Sequence, residues 1–268
     1  MSTFLYTRPS DILSRTATVA VNTGTGDAEY PPAYLVDGMP ELPGKLTTTT
    51  GSWTFQMAGG AQRIDIAALI HANITAGLEV RIQGHTSNAW GAPTLNRTFT
   101  IPAFFADNFP GNPYVNLAVT DPVAANRTFE WWRVIVVGTN SAAISIGEVC
   151  LAQSRNLGVR NISWGGTRGL KRPSTINSTD FGVRYIDDFG TTIRRMEVET
   201  EATNTTRDDI ENWMRSVQGR TFLIVPDTEV NESVLCHFED LEIEHKRVTK
   251  NVNAFKFGLV EASRGLYP

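Results

Sequence analysis

Residues 131–137 read Trp-Trp-Arg-Val-Ile-Val-Val, and residues 144–151 read Ile-Ser-Ile-Gly-Glu-Val-Cys-Leu. Both segments are rich in β-branched and aromatic residues, which favour strands. The intervening Gly138-Thr139-Asn140-Ser141 is typical of a turn. The sequence therefore predicts that these two segments are neighbouring antiparallel strands.

Upstream of this pair, further segments have the composition or the alternation of apolar and polar residues that is typical of strands buried on one face. They are residues 15–21, 53–57, 63–67 and 78–83. Residues 84–130 contain five prolines and several asparagines, and we expect them to be mostly loop. The sequence predicts one all-β unit over residues 15–152, in which Trp53 belongs to the core.

The sequence of the second half of the chain predicts several strands and one helix. The strand-like segments are 181–186, 193–200, 221–225, 235–238, 241–248 and 254–260. The helix is predicted over 206–218, with Thr206 as its cap and Gly219 as its stop. Its apolar positions 210, 213, 214 and 217 follow the helical period. We expect Trp213 to face a sheet. The predicted domains are 1–154 and 155–268.

Composition excludes several classes of protein. The chain has 268 residues and a net charge of −4, with 41% hydrophobic and 19% charged residues, which fits a β-rich globular protein. A basic excess for binding nucleic acid is missing, and no apolar run is long enough to insert in a membrane. The N-terminal residues lack the features of a signal peptide, so we expect synthesis in a cytoplasm.

The sequence offers no recognisable catalytic constellation. Cys150 and Cys236 lie in apolar runs, the four histidines lack metal-site spacing, and the glycine cluster 165–169 lacks the context of a nucleotide loop. No Gly-x-Ser-x-Gly motif is present. We therefore expect a non-enzymatic protein without a cofactor. The least favoured alternative is a glycan-degrading enzyme that uses scattered carboxylates such as Asp187 and Glu239.

The first half resembles galactose-binding-like domains of the discoidin, or F5/8 type C, family. The residues that carry the resemblance are Ala33–Gly38, Arg63–Ile66, Val80–Gln83 and the closing pair Trp131–Val136 and Ile144–Val149, the last of which is similar to the family's "i-G-E-i" ending. The resemblance covers residues 15–152 and implies a jelly-roll β-sandwich.

This resemblance also implies ligand sites. In such domains the Asp-Gly turn can help to hold a structural Ca²⁺, so Asp37 is a candidate ligand, and the alternative is an aspartate that caps its own turn. Sandwiches of this kind usually bind sugars with aromatic, amide and charged side chains at the loop end. Candidate glycan contacts are therefore Trp90, Asn88 and Arg97. Trp90 can equally serve as a plug between subunits.

The second half resembles the tail-tip ring module of long-tailed bacteriophages, the distal tail protein family. The carrying residues are 207–213 on the helix, 221–227, and 255–261 in the last strand. The resemblance implies a ring homo-oligomer, a hexamer or a trimer, that contacts the tail tube, the tape measure protein and the tip hub. Charged residues that suit its interface are Arg194, Arg195, Glu197, Glu199, Glu201 and Arg207. The three glutamates could also be paired carboxylates, but a solvated or interfacial strand face explains them equally well.

Together these features predict a mainly β protein, a jelly-roll sandwich followed by a β domain with one flanking helix. The function they favour is a non-enzymatic structural protein of a siphovirus-like tail tip or baseplate, located in the virion, with a displayed carbohydrate-binding-like domain. The alternative is a receptor-recognition protein that binds a host surface glycan.

Overall fold

The computed structural model describes residues 5–102, 112–156, 162–163, 169–171, 174–178, 184–188, 193–217, 220–225, 233–238, 244–249 and 252–262. The chain divides into two compact units, residues 1–157 with 222–235 and residues 158–221 with 236–268. The predicted domain boundary at residue 154 stays a prediction. The contacts additionally assign the segment 222–235 to the first unit.

The described chain is mainly strand, as predicted. Residues 5–156 carry β1 (Leu5–Tyr6), β2 (Thr18–Thr23), β3 (Gly44–Lys45), β4 (Gly51–Gln56), β5 (Gln62–Arg63), β6 (Ile66–Ile70), β7 (Glu79–His85), β8 (Leu95–Thr100), β9 (Tyr114–Asn116), the short helix α1 (Leu117–Thr120), β10 (Thr128–Phe129), β11 (Trp131–Val137), β12 (Ser145–Ile146), β13 (Glu148–Ala152) and β14 (Arg155–Asn156). Residues beyond 157 carry β15 (Ile162–Ser163), β16 (Gly169–Lys171), β17 (Ser174–Ser178), β18 (Arg184–Asp188), β19 (Ile193–Thr203), α2 (Asn204–Val217), β20 (Phe222–Val225), β21 (Val234–Phe238), β22 (Glu244–Thr249) and β23 (Val252–Glu261).

Two antiparallel sheets form the sandwich of the first unit. One has the strand order β2-β4-β11-β7-β8 and the other the order β13-β6-β9. Their inward side chains join one hydrophobic core, which takes Trp53 and Trp132 from the first sheet and Leu69 and Leu151 from the second. Two sheets that share a core between their inner faces make a β-sandwich, so the predicted jelly-roll architecture is confirmed.

The predicted hairpin between residues 131–137 and 144–151 is wrong. β11 pairs with β4 and β7, whereas β13 pairs with β6 in the other sheet. The burial patterns give the reason. β11 alternates buried and half-buried residues, but every residue of β13 is buried. Two 3-10 helices, Leu13–Thr16 and Pro32–Val36, pack against β13 and cover it. The chain crosses from one sheet to the other after Val137.

The predicted loop at residues 84–130 is also corrected, because part of it is regular structure. β8 pairs with β7 and β9 pairs with β6, so each extends a sheet. The period-two pattern of β8 is obscured because Arg97 occupies an inward position between the buried Leu95 and Phe99. An edge strand can place an arginine there, since one side of the strand remains close to solvent.

The Gly147-Glu148 step of the closing motif has a packing role. A Cβ atom at residue 147 would lie 2.3 Å from the carbonyl oxygen of Pro40, so only glycine fits against that backbone. The next side chain, Glu148, is fully buried and accepts two hydrogen bonds from Arg15, at 2.8 and 3.2 Å. The motif therefore fastens β13 to the beginning of the chain.

The second unit is built on two long strands. β19 and β23 are paired from Arg195 with Val260 to Thr203 with Val252. β16 and β15 pair with the other side of β19, and β21 and β22 pair with the other side of β23. The strands predicted in this half all overlap described strands.

The predicted helix is confirmed as α2, but it begins at Asn204, so Thr206 lies inside its first turn and is not its cap. β19 runs directly into the helix, and this connection sets the earlier start. Ile210, Trp213 and Val217 are fully buried. The Trp213 ring meets the rings of Phe238 and Phe257 edge to face, at centroid distances of 5.0 and 5.8 Å. Gly219, the predicted helix stop, lies outside the described residues.

Candidate functional site

The outer face of the five-stranded sheet carries a row of polar side chains. Arg81 and Gln83 occupy alternate positions of β7, and Arg133 stands opposite Gln83 on β11. Residues paired directly in an antiparallel sheet share a face, and diagonal pairs are also within reach of long side chains. Arg81, Gln83 and Arg133 therefore lie together on the face that points away from the core.

Gln83 fixes the position of Arg133. The Nε and Nη2 atoms of Arg133 both donate to Oε1 of Gln83, the first over 2.9 Å. Gln83 is 4% exposed, and its own Nε2 donates to Oδ1 of Asn96 at 3.2 Å. These hydrogen bonds use Nε and Nη2 of Arg133 and do not use Nη1. A buried amide that is itself hydrogen-bonded to a neighbouring strand holds the guanidinium in one orientation.

The loop between β7 and β8 places an aromatic ring on this arginine. The guanidinium carbon of Arg133 lies 4.6 Å from the centre of the Trp90 ring. Trp90 is half-buried, and its Nε1 donates to Oδ1 of Asn88 at 2.7 Å. His85 orders the start of the loop, because the Ser87 amide donates to its Nδ1 at 3.1 Å. We call Arg81, Gln83, Trp90 and Arg133 the Trp90 face.

The structure brings together two of the three predicted glycan contacts. Asn88 and Trp90 are hydrogen-bonded neighbours in the loop between β7 and β8. Arg97, in contrast, lies on the inward side of β8, opposite Ile82. Arg97 holds the carboxylate of Asp121 in a two-point ion pair, whose Nε contact is 2.6 Å. That pairing gives Arg97 a structural role between β8 and the end of α1.

Asp37 takes part in its own turn. Its Oδ1 accepts from the Met39 amide at 2.8 Å, and Gly38 adopts a φ of +79°. Partial burial raises the pKa of Asp37, and the nearby carboxylates Glu148 and Glu41 add to that rise. Within the described residues, no group of three His, Cys, Asp or Glu side chains could hold a metal ion. Calcium at Asp37 stays a prediction without a described set of ligands.

The predicted interface residues lie in the second unit, and the structure describes their backbone. Arg194, Arg195, Glu197, Glu199 and Glu201 are all on β19, and Arg207 is in the first turns of α2. β19 is an inner strand with partners on both sides, so its backbone is not a free edge. An interface here would have to use the faces of the sheet.

Four buried or partly buried carboxylates of the first unit form ion pairs with arginines. Glu148 pairs with Arg15, Asp65 with Arg127, Asp11 with Arg155, and Asp121 with Arg97. Burial alone would lower the pKa of Arg15, but its hydrogen bond and attraction to Glu148 outweigh that effect and raise the pKa. These carboxylates are engaged in holding strands and loops together.

The two cysteines are buried free thiols. Burial is the main cause that raises the pKa of Cys150 and of Cys236 well above the ordinary value, and nearby carboxylates contribute. A thiol with a raised pKa carries little thiolate and is a poor nucleophile. In the described part of the chain, no helix is long and apolar enough to cross a membrane.

Comparisons with known proteins give similar folds at low identity. No family model matches the sequence, and no curated protein sequence matches it. The lectin domain of lectinolysin, solved with Lewis b antigen, is 12% identical, and the match covers 55% of this chain and 99% of that one with a TM-score of 0.40. The family 32 carbohydrate-binding module of NanJ from C. perfringens, solved with galactose, is 12% identical over 57% of this chain and all of its own, with a TM-score of 0.39.

Sequence reasoning missed the most informative members of the site. Arg81, Gln83 and Arg133 lie in strands that their apolar residues identify, and the sequence pattern does not indicate that their outward side chains are neighbours. The available signal was the polar half of each alternating strand, Arg81 and Gln83 on one and Arg133 on the other. Which outward residues are neighbours depends on strand pairing, and that is a tertiary property.

Proposed function

We propose that the chain is a non-enzymatic structural protein of a bacteriophage tail tip or baseplate, and that its sandwich binds a glycan through the Trp90 face. The Trp90 ring, fixed over Arg133 beside an ordered amide, is the observation that carries the proposal. Sugar sites combine an aromatic surface for the apolar side of the ring with a few positioned hydrogen-bonding groups.

The charge pairing in the first unit supports a non-enzymatic role. General acid and base catalysis by carboxylates uses two groups in different environments that face one substrate. Asp11, Asp65, Asp121 and Glu148 each pair instead with an arginine, within a few ångströms. Their charges are used to connect parts of the fold.

Replacement of Trp90 by alanine tests glycan binding. We expect the full chain to bind members of a glycan array and Trp90→Ala to reduce that binding at least about tenfold, since an aromatic contact and the support of Arg133 are lost together. Trp90→Phe should retain part of the signal. Thr86→Ala, an exposed change in the same loop, is the matched control. Unchanged binding by Trp90→Ala would refute the role of this face.

The second unit is proposed to form the ring, as a hexamer or a trimer, and to contact the tail tube, tape measure and hub proteins. Opposite charges at its strand positions support a closed head-to-tail interface. β19 carries Glu197, Glu199 and Glu201, whereas β22, joined to the sheet through β23, carries Lys246 and Arg247. The assembled protein would be part of the virion after synthesis in the host cytoplasm.

Light scattering at micromolar concentration tests the ring. We expect a mass of three or six chains, and Glu201→Lys, whose strand partner is Ala254, should shift the population towards monomers because it reverses a charge in the acidic row. Glu29→Lys makes the same change of net charge on an exposed residue of the first unit and should leave the mass unchanged. A monomeric wild-type chain that also fails to retain tail-tube protein in a pull-down would contradict this role.

A further inference from the structure

The Trp90 face contains two arginines without a carboxylate partner. Neither Arg81 nor Arg133 forms an ion pair among the described residues, whereas Arg15, Arg127 and Arg155 each do. The exposed Glu79 precedes Arg81 by two positions on β7 and does not pair with it. A pair of uncompensated guanidinium groups on one sheet face is a site of concentrated positive charge.

The two arginines are close enough to repel each other. Arg81 stands opposite Ile135 on β11, two positions from Arg133, which makes the arginines diagonal neighbours. Partial burial lowers the pKa of Arg133, and the charge of Arg81 lowers it further. An anion placed between the two groups would remove this repulsion, so the free protein is electrostatically complementary to a negative ligand.

Neither guanidinium group has all of its donors engaged by hydrogen bonds of the described residues. The Nε of Arg81 is buried and has no hydrogen-bond partner. Arg133 uses Nε and Nη2 for Gln83, and its Nη1 has no partner among the hydrogen bonds of the described residues. Guanidinium groups match the geometry of carboxylate and phosphate oxygens, and the charge strengthens each hydrogen bond.

We infer that the Trp90 face binds an anionic saccharide, a sugar that carries a carboxylate or phosphate group. This inference rests on the proposed glycan-binding function and names its ligand class. Trp90 contacts the sugar ring, and Arg81 together with Nη1 of Arg133 binds the oxyanion. The net charge of −4 on the whole chain makes nucleic acid a poor alternative, because a phosphate backbone would meet repulsion beyond this face.

Matched sugars that differ only at C6 test the inference. The probes are glucose and galactose, their uronic acids and their 6-phosphates, titrated into the full chain by calorimetry or NMR. We expect the acids or the phosphates to bind at least about tenfold more tightly than the neutral hexoses, with the preference falling as salt is added. The uronic acid and 6-phosphate arms distinguish the two sources of the oxyanion.

Arg81→Gln should remove the preference for charged over neutral sugars and leave weak binding of the neutral ones. Arg81→Lys, which retains the positive charge, should retain part of that preference. Arg220→Gln is the matched control, since it removes the same charge from an exposed arginine outside the Trp90 face that has no ion pair among the described residues. Thermal unfolding confirms that each variant is folded.

Three results would overturn the inference. Equal affinity for neutral and charged sugars would leave the proposed glycan binding in place and reject the anionic ligand. An absence of binding to every sugar, on the array and in titration, would reject both. Tighter binding of a single-stranded DNA oligomer than of any sugar, lost in Arg81→Gln, would assign the face to nucleic acid.

Discussion

Replacing Glu148 with alanine is expected to lower the free energy of unfolding of the first unit by about 3–5 kcal/mol, the range measured when one partner of a buried ion pair is removed. The Glu148 side chain is fully buried and that of Arg15 is 16% exposed. Alanine would remove the carboxylate that accepts two hydrogen bonds from Arg15, in a place where water reaches the guanidinium poorly. The connection between β13 and the beginning of the chain would also be lost.

Hydrogen exchange resolved to peptides is a suitable measurement, because a protein of two units need not unfold in one step. Protection of β11 and β13 should fall in Glu148→Ala, whereas Glu29→Ala, at an exposed position, should leave it unchanged. The double variant Arg15→Met with Glu148→Leu should lose less than the sum of the two single changes, since no charge stays unpaired. Additive losses would show that the pair is not the source of the effect.

Replacing Trp213 with alanine should cost the second unit about 3–5 kcal/mol, because a large aromatic side chain is removed and a cavity remains. Trp213 is fully buried and meets Phe238 and Phe257 edge to face. It is also the central residue of the helix face that covers the sheet. Neighbouring rings are held by strands and cannot close the space without moving backbone.

Protection of the β23 amides reports this loss. In Trp213→Ala this protection should fall steeply. In Asn212→Ala, an exposed change in the same helix, the free energy of opening obtained from it should stay within about 0.5 kcal/mol of the wild-type value. Trp213→Phe should fall between the two. A wild-type pattern of exchange in Trp213→Ala would mean that α2 does not stabilise the sheet.

The sequence predicted local structure well where a period was visible. The helical spacing of Ile210, Trp213 and Val217 identified α2 and its buried face, because that pattern depends only on neighbouring turns of one helix. The β-branched and aromatic residues of 131–137 identified β11, because strand propensity is likewise a local property. β8 was not predicted, because Arg97 interrupts the row of apolar residues on its inward side. The ion pair with Asp121, which accounts for an arginine at that position, is visible only in the structure.

Strand partners and site neighbours were decided by the tertiary structure. Arg15 and Glu148 are 133 positions apart, and nothing local to either one indicates the other. The same is true of Trp90 and Arg133, which a loop and a strand from different parts of the chain bring together. Periodicity records which face a residue occupies, whereas pairing between distant strands sets which residues share that face. For this protein the amino-acid order determined the helix, the strands with a visible apolar pattern and the choice of Trp90 as a contact residue. The pairing of distant strands determined that Arg81, Gln83 and Arg133 share one face.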